Sequence, residues 1–234
     1  MNKDELRQDI LRCREDFSYF CEKYLKIITK ESELESLIPN QAQVKIVDAI
    51  RNNDHMMLLK ARQLGSTTIM AAYFFWHTLF NKYTRTAIVA HTDEAVKKIF
   101  EIYHLFHKHL PKHLKLETTR SRENEIKFIT GSSIRVGSAS SQSFRGSTYN
   151  LIHASEYAFW NNMEKTIASL FGARTKNAKI VLESTANGMN EAYDLWSSES
   201  GYSKMFLGWR MDTDYTLLKP KFNDPTEEEL EYSY

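Results

Sequence analysis

The residues whose types and spacing can do chemistry gather first in one string, LLKARQLGSTT, from Leu58 to Thr68. Lys60 and Arg62 place two cations before Gly65. Ser66, Thr67 and Thr68 follow with hydroxyls at the start of an apolar run, IMAAYFFWHTLF. A helix start carries unpaired backbone N–H groups and the positive end of the helix dipole, so a glycine loop feeding it can wrap a polyphosphate. The general form of such a loop is G-x-x-x-x-G-K-[ST]. Gly65 and Thr67 fill the second glycine and hydroxyl positions, whereas Ser66 stands at the lysine position and Lys60 at the first glycine. A lysine at the front of the loop can still reach the β- and γ-phosphates through its flexible four-carbon stem. An ordinary strand-to-helix turn uses the same residue types, so the loop alone leaves both readings open.

A second group follows in YNLIHASEYAFW, where Leu151, Ile152 and Ala154 form a strand that ends in Ser155 and Glu156. A strand ending in an acid, downstream of a phosphate loop, is where a Walker B motif places the carboxylate that orients or deprotonates an attacking water. Glu156 suits that role, and until the phosphate loop is counted with it reads equally as a surface carboxylate at a strand end. Ser155 replaces the commoner aspartate, so metal binding is expected to lean on Thr67, on water and on nucleotide phosphates, with Ser155 contributing directly or through water. A third group, Ser184, Thr185, Asn187 and Gly188, ends a buried strand at Ile180 to Leu182. Such a tip can sense a γ-phosphate or can be a tight strand-to-helix turn. Gln43, one helix and one strand before the loop, reads by residue type as a solvated helix-start residue, although its amide is able to read an adenine edge with donor and acceptor together. Arg145, beside Gly146 in the polar run SASSQSFRGST, is by residue type alone a solvated loop cation.

These residues need elements to hold them. Asp4 to Ile28 has helical apolar spacing, Ser32 to Leu37 reads as a short helix or turn, and QAQVKIVDAI opens a helix with Val44, Val47 and Ile50 as its stripe. After the loop helix, RTAIVAHT is an aliphatic strand, and DEAVKKIFEIYHLFHKHL is an amphipathic helix capped by Thr92 or Asp93. Pro111 to Asn124 reads as polar and turn-rich, and EIKFITGSSIRVGSA as a hairpin at a sheet edge. NNMEKTIASLF reads as a helix and KMFLGWRM as a last strand. Strands alternating with helices argue for an α/β sheet with right-handed crossovers.

The 234 residues suffice for one large core or one core with a small appendage. A formal charge of +1 gives no global basic field, so nucleic-acid contact would rest on a local patch. Arg120, Arg122 and Arg174 read as solvated surface cations. Cys13 and Cys21 have neither metal-like nor redox-like spacing and read as core or partly buried thiols in a reducing cytoplasm. The charged N-terminus is not a signal peptide, and no apolar run has membrane-spanning length, so an intracellular protein without membrane contact is expected.

With the motifs in this order, the chain resembles the ATPase domain of the large terminase subunit, the DNA-packaging motor of tailed bacteriophages. The matching strings are KARQLGSTT, the glutamine of NQAQVKIV, SFRGSTYNLIHASEYAFW and ESTANGMNEAYDLW. The resemblance implies an α/β fold with a RecA-like, additional-strand P-loop NTPase core, a mainly parallel central sheet flanked by helices, and an N-terminal helical extension. The expected divisions are 1–38 for the extension, 39–212 for the core and 213–234 for a linker. It further implies Mg-dependent ATP hydrolysis coupled to translocation of double-stranded DNA into a procapsid. The implied partners are a portal protein, a small terminase subunit and further copies of the chain in a ring, in the host cytoplasm.

By the same resemblance, Lys60, Ala61, Arg62, Gln63, Leu64, Gly65, Ser66, Thr67 and Thr68 hold ATP with Gln43. Glu156 and Arg62 are catalytic, Arg145 is an arginine finger acting across a subunit interface, and Ser184, Thr185 and Asn187 form the coupling motif. Complete family members carry a ribonuclease-H-like nuclease beyond this region; none fits in the remaining chain, so DNA cleavage is not expected of it. Two other readings compete: a helicase-like translocase on another nucleic acid, and a non-hydrolysing nucleotide-binding scaffold. The serines at positions 66 and 155 would suit the scaffold, whereas Lys60, Arg62, Glu156 and Arg145 speak for a working site.

Overall fold

Short polar side chains mark most of the helix starts. Asn2 accepts from the Glu5 amide ahead of α1 (Lys3–Glu15). Asp16 accepts from the Tyr19 amide and so ends α1 and opens α2 (Phe17–Tyr24). Each such cap satisfies a backbone donor that the helix itself leaves unpaired. The computed structural model describes residues 2–139, 144 and 146–211.

The chain continues through β1 (Lys26–Ile28), β2 (Leu34–Ser36), α3 (Gln41–Asn52), β3 (His55–Lys60), α4 (Ser66–Phe80), β4 (Arg85–Ala90) and α5 (Asp93–His109). β5 (Thr118–Arg122), β6 (Glu125–Phe128), β7 (Ser133–Ser138) and β8 (Tyr149–Ser155) follow, with a 3-10 turn at Tyr157–Phe159. Then come α6 (Met163–Gly172), β9 (Arg174–Ser184), α7 (Glu191–Ser197) and β10 (Ser203–Leu207).

β1 and β2 pair as a small antiparallel ribbon. The other eight strands form one sheet in the order β10-β3-β9-β8-β4-β7-β6-β5. From β10 to β7 every pairing is parallel; β6 and β5 finish the edge antiparallel. β9, late in the sequence, is inserted between the loop strand β3 and the acid strand β8. This is the mainly parallel, RecA-like α/β sheet with an additional strand, flanked by helices.

α4 is apolar nearly all round, with Ile69, Met70, Phe74 and Phe75 at 0% exposure. It lies in one continuous core with the first two helices and α5. Phe17 packs edge-on against Tyr73 and Trp76, and the Trp76 indole N–H donates to the Cys13 carbonyl at 2.7 Å. Asp9, almost fully buried, accepts from Tyr19, Tyr24 and Lys23 and lies 2.9 Å from His113 Nε2, tying α1 to the end of the α5 region. A second cluster, including Val89, Ile152, Leu182 and Trp160, covers the opposite face under α6 and α7.

Four local expectations are corrected. The first helical stretch stops twice, because Asp16 caps a new helix and Leu25 to Ile28 turns extended, where the β-branched isoleucines at 27 and 28 favour a strand. Leu34–Ser36 is accordingly strand, not a short helix. Thr118–Arg122, read as turn-rich, is an edge strand whose polar side chains face solvent. On α3 the buried stripe is Ala42, Ile46, Val47 and Ile50, with Gln43 beside it, whereas Val44 is exposed.

Candidate active site

The C-terminal ends of β3, β9, β8 and β4 converge on one rim of the sheet, where open parallel sheets bind their ligands. β3 delivers Lys60. The loop is pinned by the Ala61 amide, which donates to the Leu207 carbonyl at 2.8 Å, and by Leu64, whose side chain is buried in the core. Gln63 and Gly65 both have left-handed backbone, with φ of 59° and 67°. Gly65 is required twice over: a Cβ there would sit 2.5 Å from the Gln43 amide nitrogen. No side chain caps the start of α4, so its first-turn N–H groups remain available to an anion.

Gln43 is 7% exposed rather than solvated at the helix start. Its carbonyl accepts from the Asn40 amide at 3.0 Å, and its nitrogen donates to the Gly65 carbonyl at 3.2 Å. It thus braces the loop from behind.

Glu156 directly follows β8 in a left-handed conformation, φ 53° and ψ 44°. A non-glycine residue is held there only when its surroundings over-determine it. They do: Glu156 Oε1 lies 3.1 Å from Lys60 Nζ, and Oε2 accepts from the Thr185 amide and hydroxyl at 3.1 Å each and from the Ser184 hydroxyl at 3.3 Å. The Ser184 oxygen in turn accepts from the Ala158 amide, and Asn187 and Asn190 both donate to the Ala158 carbonyl at 2.9 Å. The three coupling candidates therefore share one hydrogen-bonded network with the acid.

Sequence reasoning missed Glu183. It is 0% exposed, lies opposite Ser155 in the β8–β9 register, and collects the hydroxyls of the phosphate loop. Ser66 Oγ donates to its Oε1 at 2.7 Å, Thr67 Oγ1 at 3.1 Å, and Lys60 Nζ lies 3.3 Å away. On the other side, His153 Nε2 is 2.9 Å from Oε2. Burial by itself would raise this carboxyl's pKa, but His153, Lys60 and Ser66 together outweigh it and hold it at about 2. Glu183 is therefore a carboxylate, and Nε2 is the protonated nitrogen of His153 facing it. For Lys60, burial acts to lower the pKa, and the charges of Glu183 and Glu156 more than reverse that, so the ammonium keeps its proton. An ammonium has three donors. Two face these carboxylates, and the third can serve an incoming anion.

A cleft of about 360 Å³ opens in front of this network, lined by Lys60, Arg62, Gln63, His91, Glu156, Phe159 and Thr185. His91 and Phe159, 6.2 Å apart ring to ring, form its aromatic wall. They too escaped sequence reasoning, although both lie just past strand ends. The other predicted residues are distributed differently. Gln43 and Leu64 stand behind the loop. Thr68 lines a separate groove beside β1 and α5. Ser155 is 5% exposed, and its carbonyl accepts from the Trp160 indole at 3.1 Å. Arg145 and the linker at 213–234 lie outside the described residues.

The donors around the loop, two carboxylates and the hydroxyls of Ser66 and Thr67, are all hard oxygen, which fits Mg2+. Among the described residues no group of three or more His, Cys, Asp or Glu side chains is placed to hold a metal alone. No helix among the described residues is long and apolar enough to cross a membrane.

Residues 57–210 match the family model described as terminase large subunit, T4likevirus-type, N-terminal. Among solved structures, the large terminase of bacteriophage HK97 superposes with a TM-score of 0.60 at 18% identity, over 73% of this chain and 37% of that one. The large terminase of a thermophilic bacteriophage in complex with ADP gives 0.54 at 16%, over 71% and 44%. The ATPase domain of the Thermus phage P74-26 large terminase gives 0.53 at 13%, over 73% and 86%. At these identities the likeness is one of fold. The matched region spans less than half the length of the HK97 protein and of the ADP-bound one, and most of the isolated P74-26 domain.

Proposed function

Because the chain belongs to the T4-type large terminase family, within the N-terminal region that its model describes, we propose that it is the Mg-dependent, ATP-hydrolysing motor domain of a packaging enzyme. Its work is to drive double-stranded DNA into a procapsid in the host cytoplasm, on a portal protein, with a small terminase subunit and further copies of itself in a ring. The observation that carries this reading is the junction of Lys60, Glu156 and Thr185 at the mouth of the cleft, beside an uncapped α4 start.

In this reading Lys60, Arg62 and the loop amides hold the triphosphate, and the Thr67 hydroxyl would hold the magnesium ion. When bound, that ion would neutralise phosphate charge. Both oxygens of Glu156 are engaged within the chain: Oε1 by Lys60, Oε2 by Ser184 and Thr185. A triphosphate gives the Lys60 ammonium a stronger anion to face, which loosens its hold on Oε1; that oxygen takes a proton from water as the water oxygen bonds the γ-phosphorus and the bond to the departing ADP breaks. Oε2 stays tethered to the β9 tip, so a change at Glu156 is transmitted to Asn187 and α7. Arg145 of a neighbouring copy supplies transition-state charge; a finger of this kind contributes ~10³ to 10⁵ in rate, so a lone subunit turns over slowly. The domain divisions at 38 and 212, and the lack of DNA cleavage by this chain, belong to the same reading.

The test is ATP hydrolysis across a protein-concentration series for wild type and Glu156→Gln, with nucleotide affinity measured in parallel. Turnover per subunit should rise on association, and the variant should bind ATP normally while losing at least ~10²-fold in turnover, the scale of a positioned base. Unchanged turnover in Glu156→Gln would remove it from the catalytic role.

A further inference from the structure

β8 ends in Ser155, a neutral residue, and the charge one expects beside the loop hydroxyl sits one strand over. Glu183 lies directly opposite Ser155 in a parallel register, so both side chains leave the sheet on the same face, the one covered by α4. From there its Oε1 accepts from both Ser66 and Thr67. Resting on the reading above, we propose that Glu183, supplied by the inserted strand β9, is the positioning carboxylate of the metal side of the nucleotide site, acting through the Thr67 hydroxyl.

The chemistry follows from the donor count of a hydroxyl: one O–H and two lone pairs. With its proton committed to Glu183, the Thr67 oxygen can meet a further partner only as an acceptor, which is what a cation requires. Ser66 is fixed in the same sense, which explains why a serine is accommodated where the loop pattern has lysine. The cation charge of that missing lysine is present in Lys60, held 3.3 Å from the same Glu183 oxygen. One buried carboxylate thereby sets both the displaced lysine and the metal-facing hydroxyl. A purely structural purpose would be served as well by an apolar residue, since buried ion pairs are often replaceable by hydrophobic groups without loss of stability.

The experiment is calorimetric titration of the full chain with ADP, in excess Mg2+ and again in EDTA, so that the readout is the gain in affinity conferred by the metal. Wild type should show the gain. Glu183→Gln should lose ~10-fold or more of it, the usual effect of removing an outer-shell partner, while its affinity in EDTA reports separately on the setting of Lys60. Glu183→Asp keeps the buried charge between Lys60 and His153 and should lose the gain in part. Thr67→Ala, at the half-buried start of α4, should lose it without any change at position 183, and the double variant should lose no more than the worse single one. Either Glu183 variant, folded by circular dichroism, keeping the full gain would overturn the inference, as would Thr67→Ala keeping it or additive losses in the double variant. A wild-type chain that binds ADP without any metal gain overturns it while leaving the ATPase reading standing. A wild-type chain that binds no ADP in either condition overturns both.

Discussion

Replacing Lys60 with methionine tests whether the buried charges form one unit. Lys60 is 9% exposed and its ammonium lies 3.1 Å from Glu156 and 3.3 Å from Glu183. At an effective dielectric of ~20, each contact is worth roughly 5 kcal/mol before desolvation is charged against it. Glu156 is about a quarter exposed and can rehydrate, so most of the penalty falls on Glu183, fully enclosed. Removing one partner of a buried pair costs about 3–5 kcal/mol, and the remaining bonds from Ser66, Thr67 and His153 place the expected loss at the lower end. The double variant Lys60→Met with Glu183→Gln leaves no orphaned charge there and should recover about 1–3 kcal/mol relative to additivity.

The pH dependence has a fixed sign. Glu183 has a folded pKa of about 2 against an ordinary 4.5, so its contribution is present above the ordinary value and is lost as pH falls toward 2. Without Lys60 one of the forces holding that pKa down is gone. The gap between wild type and Lys60→Met should therefore narrow as pH is lowered from 5 to about 3. Urea unfolding followed by tryptophan fluorescence at several pH values measures both quantities. A loss under about 1 kcal/mol at pH 7, or a gap independent of pH, would refute the description of Lys60, Glu156 and Glu183 as one coupled unit.

Two further outcomes follow from the fold. Gly65→Ala forces a side chain into left-handed backbone and against Gln43, at a cost of about 1–3 kcal/mol; with ~2–4 °C per kcal/mol for a domain of this size, a thermal melt should shift down by several degrees. An unchanged melting temperature would mean that the loop does not need the conformation described. Cys13 and Cys21 are both fully buried, and burial pushes the Cys13 thiol up to about 12 and that of Cys21 higher still. Neither should react with a thiol reagent at pH 8 until denaturant is added, and rapid labelling of the native chain would show α1 and α2 to be open.

The order of strands and helices was readable because each has an ordinary signal: aliphatic runs for β3, β4 and β8, capped amphipathic patterns for α3 and α5. Lys60, Glu156, Ser184 and Thr185 were readable because each ends a strand or directly follows one, and strand ends in a parallel sheet meet at one rim. Glu183 was not. In the string KIVLES it is one acid after an apolar run, and such a residue is ordinarily solvated. Its burial comes from β9 being inserted between two earlier strands, a fact of topology carried by no local pattern. The same holds for His153, an internal residue of β8 made polar-compatible only by Glu183. Gln43 was legible as a special position, but its bond to the Gly65 carbonyl depends on how α3 lies against the loop. The β1–β2 ribbon and β5 were missed because three to five residues carry too little periodicity to outweigh polar composition.

The inserted strand also explains how one site can both bind and respond. Successive side chains of a strand leave on opposite faces. Glu183 faces α4 and grips the hydroxyls that begin it, whereas Ser184, the next residue, bonds Glu156 and the Ala158 amide. Thr185 closes the gap with its own amide and hydroxyl on the same Glu156 oxygen. Two adjacent residues of β9 are thus attached, one to the loop that receives the phosphates and the other to the acid proposed to act on water. A strand cannot slide its end residue without moving its neighbour, so a shift of Lys60 or of the α4 start on nucleotide binding has a route to Glu156 through the polar contacts of Glu183, the covalent step along β9 and the hydrogen bonds of Ser184 and Thr185. From Ala158 the same network reaches Asn187 and Asn190 at the head of α7. Had β9 lain at the sheet edge, the loop strand and the acid strand would be direct neighbours and this link would not exist.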